Sequence, residues 1–497
     1  MLSRRWCWGL ACALLMLFCL PATARADCAA VLASLSRDTV DVQCTSSPDL
    51  TTANPNTIPA DNSRADLPQY AFTPRTDAAA VAPDPPHRTA ITKVVPGLQV
   101  TGGMKDDRNA RWVLRLPNAW NGRIVVGVPG GFRSEYTSDY IVSDYVIQRG
   151  YAYVSTNKGI LNFYASNPVT DPLACRLSPP PAATSGLYFH FYLNDAGDTI
   201  REWFQRTREA TALARLAASA HYRRGAERAY LFGISNGGHV VRRLLADAPD
   251  EYDGGVDWEG VYWSSLGPNI LIDLPSALRR WPEYRDSGLS PASAGHQAML
   301  DAGYPPDIFA SPPTPSNTYS PLLGSFWETH LNNYWDVTTC AFVQEIDPGY
   351  DGAPEDYDYG SRRLAFGLNK ALTGIVTTGW IDKPLLTVHG TMDALLPIER
   401  HARPFRQRVI AAGRAELHRL YEVQNGNHIE RFKQSSYNFT ELEFLQPHAH
   451  RAFSLLVNWV EKGVEPPPGQ CIPRGGAIVS NPSAQRRPEH CPALLVP

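Results

Sequence analysis

The segment Gly233-Ile234-Ser235-Asn236-Gly237 constrains this chain more than any other. It directly follows the apolar run Tyr230-Leu-Phe232 and directly precedes residues 237–245, whose apolar positions suit a helix. A serine flanked by glycines between a strand and a helix is the sequence of a sharp turn that lifts a hydroxyl above a sheet edge. The glycines let strand and helix approach closely around it. An ordinary glycine-rich turn has the same composition, so the rest of the chain must supply what a reactive serine needs. Those needs are a base to take its proton and a carboxylate to hold that base in the right tautomer.

Both partners have a place. After the run 385–388 comes His389-Gly-Thr-Met-Asp393, which puts a carboxylate beyond a strand end. After the run 417–423 comes Gln424-Asn-Gly-Asn-His428, which puts an imidazole beyond the next one. Ser235, Asp393 and His428 are therefore the expected nucleophile, orienting acid and base, gathered at the carboxyl edge of neighbouring strands. Their order along the chain is that of the α/β-hydrolase triad. His389 and His401 compete for the base, and His389, four residues from Asp393 at a strand end, reads as structural. An oxyanion hole needs two backbone N–H donors. Asn236, next to the nucleophile, supplies one; Gly131 or Phe132, in Val128-Pro-Gly-Gly-Phe132 after an early strand, supplies the other.

Short apolar runs at 98–100, 112–116, 124–128 and 151–155 alternate with turn residues, and the stretch 199–222 has Ile200, Trp203, Phe204, Ala210, Leu213, Leu216 and Ala217 on one helical face. Strands separated by helices predict an α/β core with a mostly parallel sheet covered on both faces. The alternation stops after Trp263, giving residues 91–265 as the first part of the core and 377–466 as the second. Between them, the aromatic, proline-rich and irregular residues 266–376 form a large inserted lid. Residues 27–90 read as an extended N-terminal arm, and 467–497 as a disulfide-clipped tail.

Residues 1–26 fit a cleaved export signal, with Arg4 and Arg5, a short apolar run and an Ala24-Arg-Ala26 exit. Nine cysteines less Cys7, Cys12 and Cys19 leave six, an even number for an oxidising compartment. Chain proximity favours Cys28–Cys44 and Cys471–Cys491, which leaves Cys175 with Cys340. The expected location is secreted or periplasmic, with no membrane attachment after cleavage. Hydrophobic residues at 43 % with charged residues at 19 % exclude a disordered chain. Loss of Arg4, Arg5 and Arg25 takes the formal charge from −3 to about −6, which excludes a nucleic-acid partner.

Secondary candidates are Glu259, just past the strand 255–258, and the lid residues Trp327 and Trp335, as walls of a substrate pocket. The run Asp347-Pro-Gly-Tyr-Asp351-Gly-Ala-Pro-Glu-Asp356 reads as a solvated acidic loop, with Asp347, Asp351 and Asp356 as the carboxylates that would hold Ca²⁺ if it closed on one. No metal or cofactor is otherwise expected.

The set Ser235-Asn-Gly-Gly238, Val388-His-Gly390 through Asp393-Ala-Leu-Leu-Pro397, and Tyr421-Glu-Val423 leading to His428, with Pro447-His448 before the last helix, resembles the D-3-hydroxybutyrate oligomer hydrolases. The likeness covers roughly residues 96–265 and 380–468. It implies an exported serine carboxylesterase that cleaves small soluble esters, 3-hydroxybutyrate oligomers among them, through an acyl-enzyme. A looser resemblance is to the tannase and feruloyl esterase family, which also carries a large insertion before the catalytic Asp and acts on aromatic-acid esters. That family has cysteines before the nucleophile and after the catalytic His, where this chain has Ile234 and Ile429. A non-catalytic hydrolase-fold binding protein is the alternative from a different class.

Overall fold

A strand that returns parallel to its predecessor needs a crossover, and helices supply most of them here. The computed structural model describes residues 28–60, 73–159, 164–166, 174–176, 188–190, 199–311, 324–364, 366–434, 437–481, 491 and 494–495. The expected export signal lies outside the described residues. The chain begins with α1 (Cys28–Leu35), β1 (Thr39–Ser47) and α2 (Pro74–Val81). Next come β2 (Gly97–Met104), β3 (Arg111–Pro117), β4 (Arg123–Val128), α3 (Asp144–Ile147) and β5 (Ala152–Thr156). Three short strands, β6 (Tyr164–Ser166), β7 (Cys175–Arg176) and β8 (Tyr188–His190), pair in a small sheet of their own. Then follow α4 (Thr199–Tyr222), β9 (Arg228–Ile234), α5 (Asn236–Asp247), β10 (Gly254–Trp258) and α6 (Ile270–Asp286). After further helices come β11 (Leu385–Gly390), β12 (His418–Val423) and β13 (Gln470–Ile472).

The main sheet has ten strands in the order β1-β2-β3-β5-β4-β9-β10-β11-β12-β13. The pairings β1–β2, β2–β3 and β3–β5 are antiparallel. From β5 through β4, β9, β10, β11 and β12 to β13 every pairing is parallel. Successive residues of a strand point to opposite faces, and the two cores sort accordingly. Ile124, Val126 and Val128 of β4 pack with Trp203 and Leu213 of α4 and Leu244 of α5. Val125 joins Tyr230, Phe232 and Phe453 on the other face, where the Phe232 and Phe453 rings stack at 5.6 Å. Burying one such aromatic side chain is worth about 1.5–3 kcal/mol.

The helix expected over 199–222 forms over those residues, except that Leu216, assigned to its buried face, is exposed. Residues 28–47, placed by composition in an extended arm, instead supply α1 and the edge strand β1. The β1 sequence Thr-Val-Asp-Val-Gln-Cys-Thr-Ser-Ser hides its strand because, at a sheet edge, little of it needs to be apolar. Residues 266–376, read as irregular, contain helices at Ile270–Asp286, Ala294–Asp301 and Asp336–Ile346. The first of these carries Pro275 and Pro282, residues that in a bare sequence argue against a helix interior. The three expected disulfides are all present: Cys28–Cys44, Cys175–Cys340 and Cys471–Cys491.

Candidate active site

Four adjacent parallel strands, β9, β10, β11 and β12, end in loops that carry Ser235, Glu259, Asp393 and His428 respectively. Ser235 occupies the turn between β9 and α5 at φ 57° and ψ −118°, a conformation that costs a non-glycine residue about 1–3 kcal/mol. Close packing explains the flanking glycines: a Cβ at Gly233 would overlap the Gly237 carbonyl, and one at Gly237 would overlap the Val128 carbonyl. The Ser235 N–H donates to Trp258 O at 2.9 Å, and Ser235 O accepts from Val261 N at 3.2 Å. Beneath the turn, the buried Arg242 guanidinium of α5 pairs with Asp257 of β10 at 2.7 Å.

His428 Nδ1 donates to Asp393 Oδ2 at 2.8 Å. The other carboxylate oxygen of Asp393 accepts from Leu395 N and Leu396 N at 2.9 and 2.7 Å, which fixes its plane. Burial alone would push the Asp393 carboxyl up; the His428 ring and its hydrogen bond more than offset this and hold it below the ordinary aspartate value. The arrangement leaves Nε2 of His428 as the nitrogen that can act as base. His428 is 5 % exposed at its side chain, and Ser235 is 9 % exposed.

The remaining expected residues fall in different places. Asn236 opens α5 directly after Ser235, and Gly131 at φ 51° and Phe132 lie in the loop after β4. That loop crosses the serine, for a Cβ at Gly130 would stand 3.1 Å from Ser235 Cβ. His389 Nε2 bonds Leu396 O at 2.8 Å, and His401 Nδ1 accepts from Tyr262 N at 3.0 Å. Both rings are thus tied to backbone groups in the core, where burial lowers them, His389 to about 4.

Glu259 does not form a pocket wall. It is fully buried behind the imidazole, with Oε2 3.6 Å from His428 Nδ1 and Oε1 accepting from Gly390 N at 3.2 Å. Burial, and then the charge of Asp393, raise its carboxyl well above the ordinary glutamate value. Trp327 and Trp335 are likewise without exposed surface. The Trp327 indole N–H donates to Pro305 O, and that of Trp335 to Ala394 O at 2.8 Å, so both rings are buried in the core and do not line a pocket. In the acidic loop Asp347 is engaged by Arg362 at 2.6 and 2.7 Å, while Asp351 and Asp356 are exposed. The three carboxylates do not converge. Among the described residues the cluster with metal-ligand spacing is Glu259, Asp393 and His428 itself, and its one imidazole nitrogen there is already committed to Asp393.

Two contributors escaped the sequence patterns. Asp77 of α2 binds Arg133 Nη1 at 2.8 Å, the N–H and hydroxyl of Ser134 at 2.9 and 2.7 Å, and the Thr137 hydroxyl, tying down the chain just after Phe132. Lys158, after β5, donates from Nζ to Pro129 O and Gly131 O. Neither lies near a motif, and only three-dimensional proximity reveals them.

With this geometry in hand, comparison with solved structures places the chain. Feruloyl esterase B from Aspergillus oryzae superposes with a TM-score of 0.52 at 13 % identity, over 88 % of this chain and 91 % of that one. The chain has the α/β-hydrolase fold. A tannin acyl hydrolase from Aspergillus niger is similar at a TM-score of 0.45 and 14 % identity, over 79 % of this chain and 87 % of that one. Residues 352–495 match the family model described as 3HB-oligomer hydrolase, a span that includes Asp393 and His428 but not Ser235. The D-(-)-3-hydroxybutyrate oligomer hydrolases of Burkholderia mallei (strain SAVP1) and Burkholderia pseudomallei (strain K96243) are each 35 % identical over 98 residues. The matched segment is 19 % of this chain and spans 14 % of the length of those relatives. The resemblance carried by the motifs is thus found independently in the second half of the core.

Proposed function

We propose that this protein is an exported serine carboxylesterase that hydrolyses small soluble esters, with 3-hydroxybutyrate oligomers as its substrate class. The observation that carries this reading is the Asp393–His428 hydrogen bond, set on the same sheet edge as a serine held in a strained strand-to-helix turn. Ser235 Oγ attacks the ester carbonyl as His428 Nε2 takes its proton, and the oxyanion is met by backbone N–H groups of Asn236 and the Gly131–Phe132 loop. His428 returns the proton to the leaving alcohol. Water then repeats the sequence on the acyl-enzyme, releasing the acid and free Ser235. Residues 266–376 would act as the lid over the acyl group.

The family match at 352–495 supports the 3-hydroxybutyrate assignment. Three disulfides support an oxidising compartment, and no helix of the described residues is long and apolar enough to cross a membrane. The test is a hydrolysis panel of 3-hydroxybutyrate dimer and trimer, short p-nitrophenyl esters, methyl gallate, methyl ferulate, a peptide amide and a polyester film. The hydroxybutyrate dimer is expected to lead in kcat/KM. A tenfold lead for methyl gallate or methyl ferulate, about 1.4 kcal/mol of transition-state preference, would replace it with the aromatic-acid reading. No turnover of any ester would leave the non-catalytic binding protein.

A further inference from the structure

Lys158 is buried completely, an unusual setting for an ammonium group, whose desolvation costs several kcal/mol. It follows β5, the strand beside β4, and holds φ 65°. Its Nζ donates to Pro129 O at 2.7 Å and to Gly131 O at 3.0 Å. The C=O and N–H of one trans peptide point in opposite directions. Pinning those two carbonyls therefore turns the N–H groups of Gly130 and Phe132 away from the ammonium. The same loop passes over the serine, at the 3.1 Å approach of a Gly130 Cβ to Ser235 Cβ.

We propose that Lys158 is a positioning residue for the oxyanion hole: its charge and its two hydrogen bonds orient and polarise the peptide whose Phe132 N–H receives the substrate oxyanion. This rests on the esterase reading above and deepens it. A charged donor makes roughly twice as strong a hydrogen bond as a neutral one. A positive charge at the carbonyl end of a peptide also strengthens the N–H at its other end toward a developing anion. A neutral amine would retain donors but lose both advantages.

The surroundings allow that charge to change near neutrality. Burial lowers Lys158 to about 7, with Asp77 raising it and Arg133 lowering it further. From α4 the nearest ring is Trp203, 5.5 Å from Nζ, while Glu202 and Arg206 of that helix face the neighbouring Gly159. Asp77 is shared with Arg133, Ser134 and Thr137. Since the group must be protonated to act, kcat should fall as pH rises through its value.

The experiment compares wild type, Lys158→Met and Lys158→Arg on a short p-nitrophenyl ester, with kcat and KM measured from about pH 5 to 10. The end-point stoichiometry of a fluorophosphonate on Ser235 reports an intact nucleophile. Lys158→Met is expected to be labelled fully, to keep KM within about threefold and to lose about 30-fold or more in kcat. This lies below the roughly 10²–10³-fold cost of deleting an oxyanion donor. It should also lose the alkaline limb, and Lys158→Arg should recover part of kcat with no such limb. A folded, labelled Lys158→Met with kcat within twofold of wild type, or with the alkaline limb in place, overturns the proposal while leaving the esterase reading standing. Should Lys158→Met not fold, a wild-type kcat that is flat between pH 7 and 10 overturns it equally. Wild type without activity on any ester overturns both.

Discussion

Glu259 Oε2 lies 3.6 Å from His428 Nδ1, on the flank of the 2.8 Å hydrogen bond between that nitrogen and Asp393. Two carboxyl groups thus attend one imidazole in a buried space, and their surroundings push them in opposite directions. Asp393, hydrogen-bonded to the ring, stays ionised. Glu259, desolvated and beside a negative charge, is pushed well above the ordinary glutamate value, toward its protonated form.

A neutral Glu259 is well imitated by glutamine, whose amide oxygen can still accept from Gly390 N. Glu259→Gln should keep kcat at pH 7 within about threefold. The folded-state value of Glu259 is raised above the unfolded one, so its favourable contribution is full below the ordinary glutamate value and lost as pH rises through the raised one. The variant has no such loss. Its Tm relative to wild type should therefore improve between pH 5 and pH 9, and a pH-independent difference would refute the protonated assignment.

Removing Asp393 relieves the charge that helps keep Glu259 protonated. Loss of the orienting acid from such a triad typically costs about 10⁴-fold in kcat. In Asp393→Ala the Glu259 carboxyl can ionise beside Nδ1 and supply part of the missing negative charge. Asp393→Ala is expected to retain at least ten times the kcat of the Asp393→Ala, Glu259→Gln double variant. Equal rates would show that Glu259 does not reach the ring.

Ser235→Ala should fold with an unchanged Tm or a slightly higher one, because only the hydroxyl is lost. Ester turnover should fall by about 10⁴-fold or more, since members of such a triad act as a unit. Retention of a tenth of wild-type activity would remove Ser235 as the nucleophile.

The parallel half of the sheet was legible because buried parallel strands are nearly continuous apolar runs, such as Ile124-Val-Val126 and Leu385-Leu386, and because turns after strand ends carry polar residues with no packing reason to be there. Asp393 and His428 stand out on that ground. The edge strand β1 was not legible, since a strand with one solvated side reads as polar coil. Nor were Asp77 and Lys158. A buried charged residue looks like any surface residue until the fold shows which hydroxyls, amides and carbonyls surround it. Trp327 and Trp335 misled for the converse reason: an aromatic residue reads alike whether it lines a pocket or fills a core.

The disulfide Cys175–Cys340 joins β7 to the helix Asp336–Ile346 across 165 residues of sequence. Closing so long a loop restricts the unfolded chain, and removal of such a bond typically costs about 2–4 kcal/mol. The Cys175→Ser, Cys340→Ser double variant should show a lower Tm under non-reducing conditions. Mass mapping of the unreduced wild type should find Cys175 in a peptide with Cys340; a free Cys175 thiol would contradict the pairing.

Trp335 connects the segment 266–376 to the loop that carries Asp393. Its indole N–H donates to Ala394 O at 2.8 Å, one residue after Asp393, and both partners are buried. Trp335→Phe keeps an aromatic ring in the space but leaves that carbonyl without its donor, at a cost of about 1–3 kcal/mol in stability. The loop that aims Asp393 at His428 also loses a fixed point, so the 2.8 Å hydrogen bond holding the imidazole should be less well kept. A loosened acid affects the chemical step more than ester binding. Trp335→Phe is therefore expected to lower kcat about three- to tenfold with KM little changed, alongside a reduced Tm. A variant destabilised to that degree with wild-type kcat would show that Asp393 is held by Leu395 N and Leu396 N alone, and that the indole contributes packing and nothing to the site.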